Sequence, residues 1–248
     1  MGLTVRVDPA RVLRYLVLCV AVLLALNLLA VVAGYRLREN PYAYRVLHLD
    51  REVSVGTWFA QTNLLFVAAL LGLIGAAGRK AGDRWSRYWF ALGFLALYAS
   101  IDEGSTLHEQ MTAFLKRLTA HAQAFYGPPW AVVGMLVALV ALIVFLRFLL
   151  HLPARTRYLF VLGAAMTVAG AVVLEIVSVE YAAQRGVRSY GYQTLAAVEE
   201  GLEKLGVCVL VYALLDHLRR YTSVVITSDE PAEAVARLEP GAPRAGRA

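Results

Sequence analysis

Apolar runs long enough to cross a bilayer recur along the whole chain, and they leave little choice of fold. A hydrocarbon layer about 30 Å thick is crossed by about 20 helical residues. In lipid every backbone polar group must be bonded within the protein, so repeated runs of this kind mean helices rather than exposed loops or open sheets. The sequence predicts an all-α, polytopic transmembrane helical bundle of six spans: Val12–Val32, Trp58–Ala77, Tyr88–Ile101, Trp130–Leu150, Tyr158–Val179 and Leu195–Leu215. The third is short as an apolar run. Residues from Asp102 to Leu118 still favour helix, so that helix is expected to continue beyond the hydrocarbon until Gly127-Pro128-Pro129 breaks it. With 59% hydrophobic and 17% charged residues, the chain has more apolar surface than a soluble core of this size uses.

The net charge of +6 does not point to nucleic acid, because Lys and Arg are scattered between the apolar runs instead of gathered on one face. They set orientation. One set of loops holds Arg6, Arg11, Arg14, Arg79, Lys80, Arg84, Arg87, Arg155, Arg157, Arg219 and Arg220, and it outnumbers the alternate set, so both termini are expected in the cytoplasm. The first run is too long for a signal-peptide core and no small-x-small site follows it, which predicts a retained first helix. Residues 1–228 form the expected membrane domain. The Pro-, Ala-, Gly- and Arg-rich segment 229–248 has no hydrophobic period and is expected to be disordered. Cys19 and Cys208 each lie in an apolar run and read as two buried structural thiols.

Ionisable side chains at membrane depth are costly unless paired or hydrated, so they mark function first. On a continuous helix Asp102, Ser105, Thr106 and Glu109 would share a face, with Glu103 beside it and His108 turned well round from Asp102. Glu175 interrupts an apolar run. Glu199, Glu200 and Glu203 share an arc of the last helix, although acids near a helix N-terminus also complement the macrodipole without any ligand. In the expected topology all of these lie at the non-cytoplasmic leaflet, joined there by the segment carrying Glu39, His48, Asp50 and Glu52.

Three functions fit such a collection. Asp102, Glu103, His108, Glu175, Glu199 and Glu203 would ligate one divalent cation (zinc, iron or manganese), with Ser105, Glu109, Glu200 and Tyr98 in support, making an intramembrane hydrolase or transferase that acts on a lipid or small hydrophobic substrate. The same acids would instead bind a cation or proton during transport. Or they would pair with Arg36, Arg38, Arg45, Arg185 or Arg188 and only hold the outer loops together. Asn27, Gln61 and Asn63 read as interhelical hydrogen bonds, His151 and His217 as cytoplasmic-interface residues, and Trp85, Trp89 and Trp130 as interfacial aromatics.

The combination of His48-Leu49-Asp50-Arg51-Glu52 before Thr57-Trp58-Phe59, then Ile101-Asp102-Glu103 with His108-Glu109, then Glu199-Glu200 with Glu203, resembles a group of poorly characterised bacterial multi-pass membrane proteins. That resemblance implies a bacterial inner or plasma membrane and brings no activity with it. Ser100, Asp102 and His108 are similar, more loosely, to residues of the ceramidase-like membrane hydrolases, which implies a hydrolase activity, although the paired helical histidines of those enzymes have no counterpart in this sequence.

Overall fold

The computed structural model describes residues 7–37, 41–118 and 129–221, in which helices and turns but no strands occur. Expectations for Glu39, for the Gly127-Pro128 break and for the segment after Asp229 lie outside the described residues. Helix α1 spans Pro9–Leu37 and is followed by the short α2, Pro41–Leu47. Helices α3 (Val55–Lys80) and α4 (Ser86–Ser105) form a hairpin, and α5 (Leu107–Leu118) turns away from its end. Helix α6 covers Pro129–His151; α7 (Ala154–Val168) runs through a π-helical turn, Ala169–Leu174, into α8 (Glu175–Arg185); α9 covers Tyr190–Tyr221.

Each predicted span falls within one of the long helical rods. Among the described residues four rods are long and apolar enough to cross a membrane, namely Pro9–Gly34, Val55–Lys80, Trp130–His151 and Ala154–Arg185. Helices α4 and α9, of 20 and 32 residues, carry acids within them, Asp102 and Glu103 in the first and Glu199, Glu200 and Glu203 in the second. Helix α6 leaves Leu136, Val140 and Ile143 between 51% and 65% exposed. A solvent of lipid suits such unpartnered apolar faces and water does not.

Local chemistry sets the boundaries. Ser54 Oγ accepts from Thr57 N–H at 3.1 Å and starts α3. The helix stops at Lys80, and Gly82, with φ +71°, turns the chain toward α4. Helix α4 stops at Thr106, a non-glycine residue in the left-handed region with φ 55°. The single projecting helix expected from Tyr88 to Leu118 is therefore two helices. Asp102 explains the break, because its Oδ1 accepts the His108 N–H at 2.9 Å and so caps the start of α5 in place of continued helix.

Helix α9 is the axis of the bundle and packs against α1, α3, α7, the π turn and α8. Without a water-driven hydrophobic effect between helices in lipid, close approach of small residues carries much of this association. At the α7–α9 crossing a Cβ on Gly206 would lie 2.7 Å from Thr167 N and 2.8 Å from the Gly163 carbonyl oxygen, so no side chain fits there. The apolar core gathers at the end where α4 and α7 begin and α3, α6 and α9 finish, around Trp89, Phe148, Phe160 and Leu214. Trp89 is 3% exposed and meets Phe148 edge-on, so it belongs to this core and not to an interfacial belt. Two further expectations change. Cys19 is exposed on α1 while Cys208 is buried, and Asn63 donates to Phe59 of its own helix at 2.8 Å instead of across helices. Asn27 does reach out, accepting from Leu49 N–H at 3.0 Å.

Candidate functional site

Antiparallel alternation of the rods brings the ends of α4 and α8, the start of α9 and the segment before α3 to the bundle end opposite the aromatic core. There Glu199, 7% exposed, accepts from Ser178 Oγ at 2.8 Å and stands within hydrogen-bonding reach of the Glu175 carboxyl. The π turn makes this meeting possible. Its wider winding carries the chain into Glu175, and at Gly170 the backbone comes so close to α9 that a Cβ would lie 3.0 Å from the Glu199 carbonyl oxygen.

Lys204 lies at the centre, 2% exposed. Its ammonium donates to Glu200 one turn back on α9, and its stem passes the start of α3, where a Cβ on Gly56 would lie 3.6 Å from Lys204 Cε. Glu203 feels Glu200, Lys204, Glu103 and Glu175 electrostatically. Glu103, Glu200 and Glu203 thus face one lysine, and the Glu175–Glu199 pair lies beside Glu203. Three carboxylates against one ammonium leave a surplus of negative charge in a low-dielectric setting, which protons or a cation can balance. Among the described residues none of Arg45, Arg185 and Arg188 makes an ion pair with an acid.

Nearer the bundle end lies a second group. His108 Nδ1 and Asp102 Oδ2 are 3.0 Å apart, and the His108 ring packs on Trp130. The turn at Thr106 folds His108 back onto Asp102, which replaces the expectation that helical geometry separates them. Asp102 is committed to His108 through both oxygens. Glu109 is exposed and adjoins Glu52. Ser105 is exposed and its hydroxyl donates to Ile101 of its own helix, and Tyr98 is 56% exposed, so neither turns into the carboxylate group. An open groove of ≈ 400 Å³ is lined by Glu52, Val53, Trp58, Gln61 and Gly104, among others.

The segment before α3 is held to α9 by polar contacts. Gln193 gives its amide hydrogen to the Val187 carbonyl at 2.8 Å, which leaves Oε1 to accept from His48 Nε2 at 2.6 Å. Burial pushes the His48 imidazole below its ordinary value and keeps it neutral. Tyr192 donates its hydroxyl to Asp50 Oδ2 at 3.0 Å. Burial pushes Asp50 up to about 6 against that bond, and burial with the neighbouring Glu109 pushes Glu52 up to about 7. The hydrogen bond to Asp102 holds His108 above its ordinary value, against the effect of burial.

The shifts at Asp50, Glu52 and His108 act on stability in the same direction, and the lowered His48 value acts against them as pH falls through 6.5. Asp50 and Glu52 keep protons in the folded protein that the unfolded chain would release, so stability falls as pH rises from 3.8 toward about 6 for the first and from 4.5 toward about 7 for the second. The protonated His108 contributes fully below 6.5 and loses its contribution as pH rises through its higher folded value. The unfolding midpoint in detergent should therefore drop between mildly acid and mildly alkaline pH. His108→Ala should remove the upper part of that drop and Glu52→Gln the lower part. A midpoint independent of pH in the wild type would contradict the assignment.

Of the residues the sequence proposed as metal ligands, the fold brings Glu103 and Glu203 to Lys204, sets Glu175 with Glu199 beside them, and leaves Asp102 and His108 as a separate pair. Among the described residues no three His, Cys, Asp or Glu side chains are placed to hold a metal ion together. Sequence reasoning missed Lys204 as the counter-charge. Its spacing of four from Glu200 was the available signal. It also missed Tyr192 and Gln193, whose partners lie more than 140 residues away and leave no local trace.

No curated protein and no solved structure matches the chain. A family match does cover residues 14–218, which takes in every acid of the site. The chain belongs to the family described as Domain of unknown function (DUF8692).

Proposed function

We propose that this protein is a six-span bundle of the bacterial inner membrane, with both termini in the cytoplasm, that couples proton binding at its outer carboxylates to movement of a cation. The observation that carries the reading is the imbalance around Lys204: three acids from α4 and α9 face one buried ammonium, and the Glu175–Glu199 pair adjoins them. Carboxyls within reach of one another bond only by sharing a proton, and such a group gives up protons when a cation arrives. The π turn before Glu175 and the break at Thr106 put irregular backbone beside the carboxylates, as transport sites in membranes commonly have.

The reading is tested in proteoliposomes loaded with a pH-sensitive dye. Imposing a sodium or potassium gradient should change the internal pH, and Glu199→Gln should reduce the rate about ten-fold or more by removing a proton carrier from the cluster. No pH response to any alkali cation would overturn coupling. If that same preparation held stoichiometric zinc, iron or manganese that Glu175→Gln removed, a metal-dependent hydrolase or transferase would take its place.

A further inference from the structure

The opposite end of the bundle carries a second arrangement of charges. Asp216, 2% exposed, receives Arg155 Nε at 2.9 Å, Arg220 Nε at 3.0 Å and Arg219 Nη2 at 3.3 Å. Arg155 also donates to Tyr212 Oη at 2.7 Å. Three guanidiniums on one carboxylate leave two positive charges over. The arginine side chains are 49%, 42% and 53% exposed for Arg155, Arg220 and Arg219, so most of their donors remain available on the surface.

Arg219 and Arg220 on their own would be ordinary, since cations near a helix C-terminus complement the macrodipole. Arg155 breaks that explanation. It stands in the first turn of α7, where the dipole disfavours a cation, and Asp216 of a different helix holds it in place. The carboxylate thus gathers guanidiniums from two helices into one surface, and guanidinium forks match phosphate oxygens in shape and charge. The position selects the kind of phosphate. Arg155 lies where the apolar rods Trp130–His151 and Ala154–Arg185 meet, and Tyr158 and Leu162, three and seven residues on along the same face of α7, are 70% and 50% exposed. A charged head at Arg155 therefore continues into an apolar track.

We propose that the arginines anchored by Asp216 bind the phosphodiester headgroup of an anionic phospholipid whose acyl chain lies along Tyr158 and Leu162. This rests on the membrane-spanning reading and is independent of proton coupling at the other end. Basic pockets between helices at a membrane surface are suited to such lipids.

The whole protein in detergent is titrated with phosphatidylglycerol, phosphatidylcholine or inorganic phosphate while its unfolding midpoint is read. Phosphatidylglycerol should raise the midpoint, and the other two should not at matched concentration. The double variant Arg155→Gln/Arg220→Gln should weaken half-saturation by phosphatidylglycerol about ten-fold, whereas Arg84→Gln/Arg87→Gln, with the same loss of charge, should leave it unchanged. If the first double variant does not fold, Arg155→Lys, which keeps the charge and loses the fork, should still weaken half-saturation several-fold. Equal weakening in both double variants would reduce the effect to diffuse basicity, and a response to inorganic phosphate equal to that of the lipid would make it an ion site. Either result overturns the proposal.

Discussion

Lys204→Met should cost the folded protein about 3–5 kcal/mol, because it strips the counter-charge from carboxylates it leaves buried. Lys204 is 2% exposed and bonded to Glu200, so water cannot readily take its place. The cost should show as a large fall in the unfolding midpoint of the detergent-solubilised protein, and it should narrow as pH falls, since protonated carboxyls need no counter-charge. Adding Glu200→Gln should recover part of the loss and no more, because Glu103 and Glu203 still face the vacated position. A Lys204→Met protein as stable as the wild type across the pH range would mean that some other cation balances the site.

Gly206→Ala should destabilise by about 1–3 kcal/mol through overpacking, and Gly206→Leu should force α7 and α9 apart altogether. The added carbon would sit 2.7 Å from the Thr167 backbone nitrogen and 2.8 Å from the Gly163 carbonyl, and neither atom can swing aside as a flexible side chain would. Gly72→Ala is the matched control in α3. Nothing lies within 4 Å of its added carbon, and removing a glycine from a helix interior should stabilise by about 0.5–1 kcal/mol. Thermal unfolding of the two alanine variants side by side decides the matter: shifts of the same sign would remove the crossing from the account of stability.

The rods were readable from the sequence because hydrocarbon thickness fixes their length, and Glu175, Glu199 and Glu203 stood out because an acid in an apolar run has few harmless explanations. The neighbours of those acids were not readable. The expected face Asp102–Ser105–Thr106–Glu109 assumed an unbroken helix, and Gly104 stays helical while the left-handed position falls on the non-glycine Thr106. The capping that Asp102 provides for His108 is local in sequence, but helix propensity alone favoured continuing, and the packing of His108 on Trp130 that accompanies the break leaves no local trace. Lys204 was hidden differently. As a lysine one turn from a glutamate it looks like any surface pair, and its burial depends on α3 beginning with Gly56 against it. Trp89 was misplaced for a related reason, since a tryptophan near a helix start reads as interfacial until Phe148 and Phe160 are known to surround it.

The π turn has a consequence for descent within the family. A winding of that kind holds one residue more than the α-helix around it needs. A relative one residue shorter between Gly163 and Glu175 would keep its hydropathy profile and its helix count, yet its glutamate would be rotated by about 100° from the α9 carboxylates. Chain length over a dozen residues, which composition and motif searches do not weigh, would then separate relatives that retain this carboxylate partnership from relatives that share only the scaffold.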